Sequence, residues 1–460
     1  MRAMAMVALI LIGGTSMAQN VELLDNGRFA DVAEDGLPRA WEVALGNPRT
    51  APRYGVAERD GTRWLQFAMA ENGASMGYLW QSVMMPEGAE AVRIRVSVRC
   101  DGPARPEEHA LVRVYWDDQP RVHTGTGWIY RYFPEWTRID GQRAELDLTL
   151  AVPEGANRLR LDLMARWSPG GAVSFAEPSV AVAPAPERRM VRLAAVQGHA
   201  AAGSTPEDAI TWAVEQVRVA GEMGADLVCL GEAINFAGVK GVKALDVCEP
   251  IPDGPLSQAV SAAANEHNVI VCVGIYEQAG DIAYNSAALF GRDGELIGVY
   301  RKVHLPSPEV DWGFTPGSTY PVFDTDIGRV GMQVCYDNAF PEGARALAVN
   351  GAEIICLPIW GEGRAGDTVW PCSPRMMALN NGVAYVCAVY SQRESCVIDP
   401  YGFVLVSAGG EDGVYIADVD LTPGGDASNW RDDGSIMPHD FRRVWRGERM
   451  PETYGPLLER

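Results

Sequence analysis

The stretch Gly331-Met-Gln-Val-Cys-Tyr-Asp-Asn-Ala-Phe-Pro-Glu342 decides how the second half of this 460-residue chain folds. It begins as an apolar strand, it places Cys335 where that strand ends, and Pro341 marks the first turn of a following helix. A buried strand that leads into a helix is the unit of layered α/β domains, and ligands gather at the ends of such strands. Cys335 is therefore the first candidate for a chemical role.

Two further stretches place a polar residue directly after an apolar strand. Asp226-Leu-Val-Cys-Leu-Gly-Glu232 ends on a glutamate, and Tyr300-Arg-Lys-Val-His-Leu-Pro306 carries Lys302 just past a strand. Taken singly, each residue has an ordinary structural explanation. A cysteine on a strand is usually part of a core, and a glutamate or lysine after a strand usually faces water.

The sequence around these stretches alternates between predicted strands and predicted helices. Val191–Val196 and Ala225–Leu230 are short apolar strands, and Ser204-Thr-Pro-Glu207 between them has the cap, proline and early acid of a helix start. Gly291-Arg-Asp-Gly294 separates two strand-like runs and predicts a hairpin. Helical crossovers and a hairpin together predict an α/β domain with a mixed sheet.

Together the three stretches resemble the nitrilase superfamily of carbon–nitrogen hydrolases, from about Met190 to Val419. This resemblance implies a four-layer αββα sandwich, pairing into homodimers or larger homo-oligomers, and neither a metal nor another cofactor. Five further sequence segments are similar to the family: Tyr284-Asn285, Phe314-Thr-Pro-Gly317, Arg375–Tyr385, Ile398-Asp-Pro-Tyr-Gly402 and Met450-Pro-Glu-Thr-Tyr-Gly455.

The resemblance also implies a role for each residue of the predicted catalytic centre. Cys335 is the nucleophile, Glu232 the general base, and Lys302 stabilises the oxyanion together with the backbone N–H of Tyr336. Glu309 matches the family's second glutamate, which keeps Lys302 charged and oriented. These roles suit the residue types, because amide carbonyls need a thiolate nucleophile and a carboxylate can take and return its proton.

Asp337 and Arg375 are candidate substrate-binding residues. Arg375 also has a simpler interpretation, as one partner of an ion pair in the protein framework. His199 and His304 are too remote in sequence to predict a Cys–His pair, and His304 is interpreted as structural because Lys302 and Glu232 already fill the catalytic roles.

The resemblance predicts hydrolysis of an amide or N-carbamoyl C–N bond with release of ammonia or an amine. The segment Cys335-Tyr336-Asp337 is similar to the amidase and ureidase branches, where an aspartate stands two positions after the cysteine. One alternative is a nitrilase that converts a nitrile to an acid. Another is a secreted glycan-binding protein with an inert hydrolase domain, against which the intact Glu232, Lys302 and Cys335 argue.

The first half of the mature chain has the pattern of an all-β domain over residues 19–180. Val92–Cys100 alternates apolar with Arg or Ser residues, as expected for a strand with one buried face. Similar alternation at Leu146–Leu150 and Leu159–Leu163 predicts an antiparallel β-sandwich. The opening Leu24-Asp-Asn-Gly-Arg-Phe29 resembles the start of galactose-binding-type jelly-roll modules that bind carbohydrate.

Aromatic residues are dense in this first domain. They predict either a stacking platform for a glycan ligand or ordinary packing on strands, which favour aromatic side chains. The loop-like run Gly125–Phe133 is the best candidate for the platform. The residues are Trp41, Trp64, Trp80, Trp116, Trp128, Tyr130, Tyr132, Trp136 and Trp167.

Outside these two domains, three segments complete the predicted organisation. Residues 1–18 have a positive start, a short apolar run and small residues before Gln19, which predicts a signal peptide and a secreted or periplasmic location. Residues 181–189 form a proline-rich linker to the hydrolase domain at 190–425, and residues 426–460 are a C-terminal extension. No later stretch predicts a membrane helix.

Charge and cysteine content narrow the possible partners. The chain has 39 basic and 60 acidic residues, a formal net charge of −21, which argues against nucleic acid as a partner. Its nine cysteines show no repeated pair spacing typical of zinc sites, and several lie inside apolar strands. A Cys372–Cys396 disulfide is compatible with the sequence.

Overall fold

A computed structural model describes residues 21–117, 130–132, 136–153, 156–361, 370–390, 394–422 and 449–458. The chain divides into two compact units between Pro186 and Glu187. The predicted signal peptide, residues 125–129 and 133 of the aromatic loop, and most of the C-terminal extension lie outside the described residues. In the described part, no helix is long and apolar enough to cross a bilayer.

The first unit consists of two antiparallel sheets with a short helix. One sheet has five strands in the order β1-β4-β10-β6-β7, and the other has six in the order β2-β3-β11-β5-β9-β8. Their bounds are β1 Glu42–Leu45, β2 Arg53–Arg59, β3 Thr62–Ala68, β4 Met76–Met84, β5 Ala91–Asp101, α1 Pro106–His109, β6 Ala110–Asp117, β7 Tyr130–Tyr132, β8 Arg138–Asp140, β9 Arg143–Ala151, β10 Arg158–Arg166 and β11 Ala172–Ala183.

The alternation of apolar and polar residues along the strands forms the core of this unit. The apolar residues of β5 are buried, and they share one core with Leu159, Leu161 and Leu163 of β10 in the other sheet. The two sheets therefore enclose a single apolar core, as the period-two pattern predicts. Strand β11 continues through Ala183, three residues into the predicted linker. The jelly-roll resemblance remains a prediction.

Packing accounts for several of the aromatic residues in the first unit. Trp41 and Trp116 are buried in the core, and Trp136 packs against it. Trp80 carries the Arg160 guanidinium 4.2 Å above its ring, and Trp167 is exposed. Trp128 and the side chains of Tyr130 and Tyr132 lie outside the described residues.

The second unit contains two six-stranded mixed sheets. Their strand orders are β16-β15-β14-β13-β12-β23 and β17-β18-β19-β20-β21-β22. The strands are β12 Met190–Gln197, β13 Leu227–Cys229, β14 Ile270–Ala279, β15 Ile282–Phe290, β16 Leu296–Arg301, β17 Val322–Thr325, β18 Gly328–Met332, β19 Ile354–Ile359, β20 Ala384–Val389, β21 Cys396–Ile398, β22 Val404–Ser407 and β23 Gly413–Asp420. The helices are α2 Pro206–Glu222, α3 Pro255–His267, α4 Ser307–Trp312, α5 Pro341–Val349 and α6 Cys372–Asn381.

Local signals explain where these elements begin. Thr205 caps α2 by accepting a hydrogen bond from the backbone N–H of Asp208, whose carboxylate accepts one from the N–H of Thr205. The predicted hairpin joins β15 to β16 in antiparallel pairing, while β12, β13 and β14 pair in parallel. The sheet is therefore mixed, as predicted.

Side-chain burial defines four layers in the second unit. One apolar cluster joins the facing sides of the two sheets, with Leu193 from one and Val386 from the other. Helices α2 and α3 cover the outer side of the first sheet, and α5 and α6 cover that of the second. This is the αββα arrangement that the resemblance implies.

The cysteines of the second unit are mainly core residues. Cys229, Cys272 and Cys356 are fully buried between the sheets, with their sulfur atoms all within 4.8 Å of one another. All nine cysteines of the chain are described, and none forms a disulfide. Cys372 is exposed, whereas Cys396 is buried and pairs in register with Cys387, so the structure does not contain the Cys372–Cys396 bridge.

Candidate active site

Three segments of the second unit bring Glu232, Lys302 and Glu309 together. Glu232 follows β13, Lys302 follows β16, and Glu309 lies on the short helix α4. The ammonium nitrogen of Lys302 donates to Glu232 Oε1 at 2.9 Å and to Glu309 Oε1 at 2.6 Å. The Lys302 side chain has no exposure to solvent, so its charge depends on these two carboxylates.

Two groups that sequence reasoning missed fix the carboxylate of Glu232. The Asn285 amide donates to Oε1 at 2.7 Å, and the backbone N–H of Trp360 donates to Oε2 at 2.6 Å. Asn285 belongs to a stretch that matches the family, but the resemblance assigns it no role. The Trp360 contact joins residues 128 positions apart, so no local pattern could reveal it.

The electrostatics of the centre keep Lys302 charged. Burial alone would lower the pKa of its ammonium, but the negative charge of Glu232, that of Cys335 when its thiol is ionised, and that of Glu309 outweigh burial and raise that pKa above the ordinary lysine value. Burial raises the pKa of Glu309, and the charge of Lys302 opposes this rise. The centre therefore holds a permanent cation between two carboxyl groups at neutral pH.

Cys335 begins a 3₁₀ turn, Cys335–Ala339, between β18 and α5. Its backbone has φ of +46°, a left-handed conformation that is unusual for a residue with a side chain and is found at functional sites. The residue is partly open to solvent. Burial raises the pKa of its thiol, the charge of Glu232 raises it further, and the charge of Lys302 opposes the rise. The resting thiol is consequently protonated and needs a base to become a nucleophile.

Asp337, a predicted substrate-binding residue, has several contacts within the protein framework, and its substrate role stays a prediction. Its carboxylate is fully buried and accepts hydrogen bonds from the Tyr300 hydroxyl at 2.7 Å and the Val334 N–H at 3.1 Å. It also accepts from the backbone N–H of His304 at 2.9 Å and contacts the His304 ring at 2.9 Å. Because protein groups bond to both oxygens, Asp337 joins the Cys335 turn to the segment that carries Lys302.

Arg375 has a framework contact. Its Nε donates to the backbone carbonyl of Gly402 at 2.8 Å, which joins α6 to the turn before β22. This agrees with the structural interpretation of Arg375, although the acceptor is a carbonyl and not a carboxylate. His304 also has the structural place expected of it, stacked on Phe340 with 3.7 Å between ring centroids.

The arrangement has the groups needed to attack a carbonyl carbon. It combines a protonated thiol, a carboxylate held by three donors, and a fixed ammonium, with Tyr336 in the turn directly after the thiol. Among the described residues, one group of three side chains could hold a metal ion, namely Cys229, Cys272 and Cys356 in the core. The catalytic side chains are not part of that group.

Comparison with known proteins agrees with this geometry. The family model described as carbon-nitrogen hydrolase matches residues 192–427. Omega-amidase NIT2 of Homo sapiens is 33% identical over 238 residues, covering 47% of this chain and 85% of that protein. A nitrilase of Pyrococcus abyssi is 34% identical over 233 residues, covering 47% of this chain and 85% of that protein. The solved structure of a carbon-nitrogen hydrolase from Helicobacter pylori G27 superimposes with a TM-score of 0.50 at 23% identity, covering 59% of this chain and 99% of that one.

The fold and the matched sequence define an enzyme that hydrolyses carbon–nitrogen bonds. The chain belongs to the carbon-nitrogen hydrolase family, within the nitrilase superfamily.

Proposed function

We propose that this enzyme hydrolyses the C–N bond of an amide or N-carbamoyl compound through a thioester on Cys335. The observation that carries the proposal is the buried Lys302 ammonium, which bonds to both Glu232 and Glu309 and influences the ionisation of Cys335. This arrangement supplies a nucleophile, a base and a fixed positive charge for one carbonyl group.

In the first half of the reaction, Glu232 takes the proton from the Cys335 thiol and the sulfur attacks the carbonyl carbon. Lys302 and the backbone N–H of Tyr336 stabilise the negative oxygen of the tetrahedral intermediate, and one such donor contributes ~3 kcal/mol. The intermediate collapses as Glu232 returns the proton to the departing nitrogen. Ammonia or an amine leaves, and the acyl group remains on sulfur.

In the second half, Glu232 takes a proton from water, and the oxygen attacks the thioester carbon. Lys302 again stabilises the oxyanion. The carbon–sulfur bond breaks, the proton returns to the Cys335 sulfur, and the carboxylic acid is released. The Glu309 carboxylate accepts a hydrogen bond from the Lys302 ammonium at 2.6 Å, which supports a role in keeping that ammonium oriented.

An amide is favoured over a nitrile because Cys335-Tyr336-Asp337 resembles the amidase branch and because the human relative is named an omega-amidase. Nitrile hydrolysis is the second candidate, supported by the archaeal relative named a nitrilase. The same three side chains can serve both reactions, since each passes through a covalent adduct on the cysteine.

The proposal includes three features of the whole protein. The N-terminal pattern supports export, the aromatic-rich first unit supports a glycan ligand there, and the family resemblance supports a homodimer or larger assembly. Each has its own measurement: the N-terminus of the mature protein, glycan binding to the full chain, and the mass in solution.

The deciding experiment compares kcat/KM for the amide, N-carbamoyl and nitrile forms of one carbon skeleton. We expect the amide or N-carbamoyl form to be preferred, with ammonia or amine as a product. A clear preference for the nitrile, with acid as the main product, would overturn this assignment.

The Cys335→Ala variant tests the covalent route, because alanine keeps the fold and removes the nucleophile. We expect hydrolysis to fall by more than about a thousandfold with an unchanged unfolding temperature. The matched control is Cys356→Ala, a buried core thiol, which should lose about 1 kcal/mol of stability and keep its activity. Full turnover by Cys335→Ala would contradict the mechanism.

A further inference from the structure

An aromatic cluster leads from the catalytic groups to the surface. We define it as Phe236, Trp312, Trp360 and Tyr390. Ring centroids are 5.8 Å apart between Phe236 and Trp360, 6.2 Å between Phe236 and Trp312, and 5.1 Å between Trp360 and Tyr390. Trp312 is 44% exposed and Trp360 is 37% exposed, so the outer part of the cluster is open to solvent.

Three of the four aromatic residues lie on segments that also carry or contact the catalytic groups. Trp360 donates its backbone N–H to Glu232 Oε2 at 2.6 Å, and Phe236 lies four residues after Glu232. Trp312 lies three residues after Glu309 on α4, which places the two side chains on one face of that helix. The aromatic cluster is thus continuous with the proposed reaction centre.

The inner end of the cluster contains a buried hydroxyl without a partner. Tyr390 is about nine-tenths buried, and its hydroxyl makes no hydrogen bond with the described residues. The Tyr390 ring lies close to the base, because a Cβ on Gly231, the residue before Glu232, would stand 2.7 Å from it. Burial raises the pKa of this phenol, and the charge of Glu232 raises it further. A buried hydroxyl without a partner is unfavourable, so a bound molecule that bonds to it would be favoured.

The chemistry of the cluster indicates what it binds. Its four side chains carry no formal charge at neutral pH and present flat ring surfaces, which pack best against another flat apolar group. Large aromatic side chains exposed beside a reaction centre are more typical of a binding surface than of a solvated one.

We propose that the substrate is an amide whose acyl chain ends in an aromatic or similarly flat apolar group, bound against Phe236, Trp312 and Trp360. This inference rests on the proposed amide hydrolysis and adds the class of acyl group. Binding of the remote group would hold the carbonyl carbon near Cys335, so the aromatic cluster determines specificity without taking part in proton transfer.

The test uses the full-length protein with 3-phenylpropanamide and propanamide, which differ by the phenyl group. We expect kcat/KM for the phenyl substrate to exceed that for propanamide by about tenfold or more. Trp312→Ala and Trp360→Ala should each reduce this ratio several-fold, mainly through a higher KM for the phenyl substrate. Trp312→Phe should retain most of the preference, because a flat ring remains.

The matched control is Leu405→Ala, a large exposed apolar residue on β22, which should leave the ratio unchanged. Hydrolysis of both amides without a phenyl preference, or an unchanged ratio in both tryptophan variants, would overturn the inference and leave the proposed function standing. Failure to hydrolyse either amide, together with turnover of the matching nitriles, would overturn the proposed function instead.

Discussion

Lys302 is the residue on which the charge balance of the catalytic centre depends. Its ammonium is fully buried and bonds to two carboxyl groups, so removing it would leave those groups facing each other in a region of low polarity. The same carboxylates raise the pKa of Lys302, and the surroundings of Cys335 raise the pKa of its thiol. Both groups therefore keep their protons over the ordinary pH range.

This protonation pattern predicts the alkaline side of the pH profile. Because both pKa values are raised, neither Lys302 nor Cys335 loses its proton as the pH rises from 7 to 9. We expect kcat/KM for an amide to stay flat across this interval, measured at constant ionic strength. A thiol with a lowered pKa would instead already be ionised between pH 7 and 9, and kcat/KM would then change with its ionisation below pH 7. A fall in kcat/KM of more than threefold between pH 7 and 9 would contradict the proposed charge state.

A second prediction concerns Asp337, whose hydrogen bonds to Val334 and His304 hold the backbone beside Cys335 and Lys302. Asp337→Asn replaces one carboxylate oxygen by an NH₂ group, so either the bond from the His304 N–H to Oδ1 or the bond from the Val334 N–H to Oδ2 loses its acceptor and the Cys335 turn should shift. We expect kcat to fall about tenfold or more with little change in KM, and the free energy of unfolding to fall by about 1–3 kcal/mol.

The matched control for Asp337→Asn is Asp162→Asn. Asp162 is also a fully buried carboxylate, but it lies in the first unit and is bonded to Arg113 and Arg160. It should lose a similar amount of stability with kcat unchanged. Equal kcat values for Asp337→Asn and the wild type would show that Asp337 is only structural.

At the scale of elements, the close approach of β14 to the segment after β13 positions the base. A Cβ on Gly274 of β14 would lie 2.6 Å from the Cα of Glu232 and 2.6 Å from the Gly231 carbonyl oxygen. Gly274 also donates to Gly231 O at 3.1 Å and accepts from the Ile234 N–H at 2.9 Å. Any side chain at this position must displace the Glu232 backbone.

Gly274→Ala should accordingly lower kcat about tenfold or more, because a displacement of about 1 Å at a catalytic group has effects of that size or larger. The variant is compared with the wild type by kcat, KM and thermal unfolding. Gly55→Ala on β2 is the control, since a Cβ there meets no atom within 4 Å. If Gly274→Ala keeps full kcat, the tight strand contact does not position the base.

The same elements show how far the sequence could predict the site. Apolar runs that end in Glu232, Lys302 and Cys335 identify strand ends locally, and the strand ends do converge. The bonds of Asn285 and Trp360 to Glu232 depend on how distant segments meet, which no local pattern encodes. For Asp337 the motif gives the position along the chain but not the direction of its side chain, so the bonds of its carboxylate to Tyr300 and His304 are not predictable from the sequence.

At the scale of the whole molecule, the enzyme family accounts for only part of the chain. The family match covers residues 192–427, and the human relative aligns with 47% of this chain but 85% of its own length. The first unit therefore lies outside the residues that the family model matches. Arg189, near the start of the second unit, pairs with Glu353 of that unit, and its backbone N–H donates to the Thr422 hydroxyl.

We predict that a protein starting at Glu187 folds and hydrolyses small amides with kcat within about threefold of the full chain. The physical reason is that the contacts of Arg189 and the paired strands β12 and β23 are retained. Circular dichroism, thermal unfolding and amide turnover would check this. An insoluble product, or a folded one without activity, would show that the first unit is needed for the catalytic fold.

Strand β12 has a partner that is synthesised very late. It pairs with β13 on one side, but on the other its register runs antiparallel to β23, from Met190 opposite Asp420 to Gln197 opposite Gly413. A ribosome that adds 5–20 residues per second needs roughly 10–40 s to make the intervening chain. During that time the nascent sheet has one open edge with unpaired backbone groups, the kind of edge that recruits other chains. The yield of correctly folded enzyme should thus be sensitive to whether a chaperone shields the nascent chain until its last strand emerges.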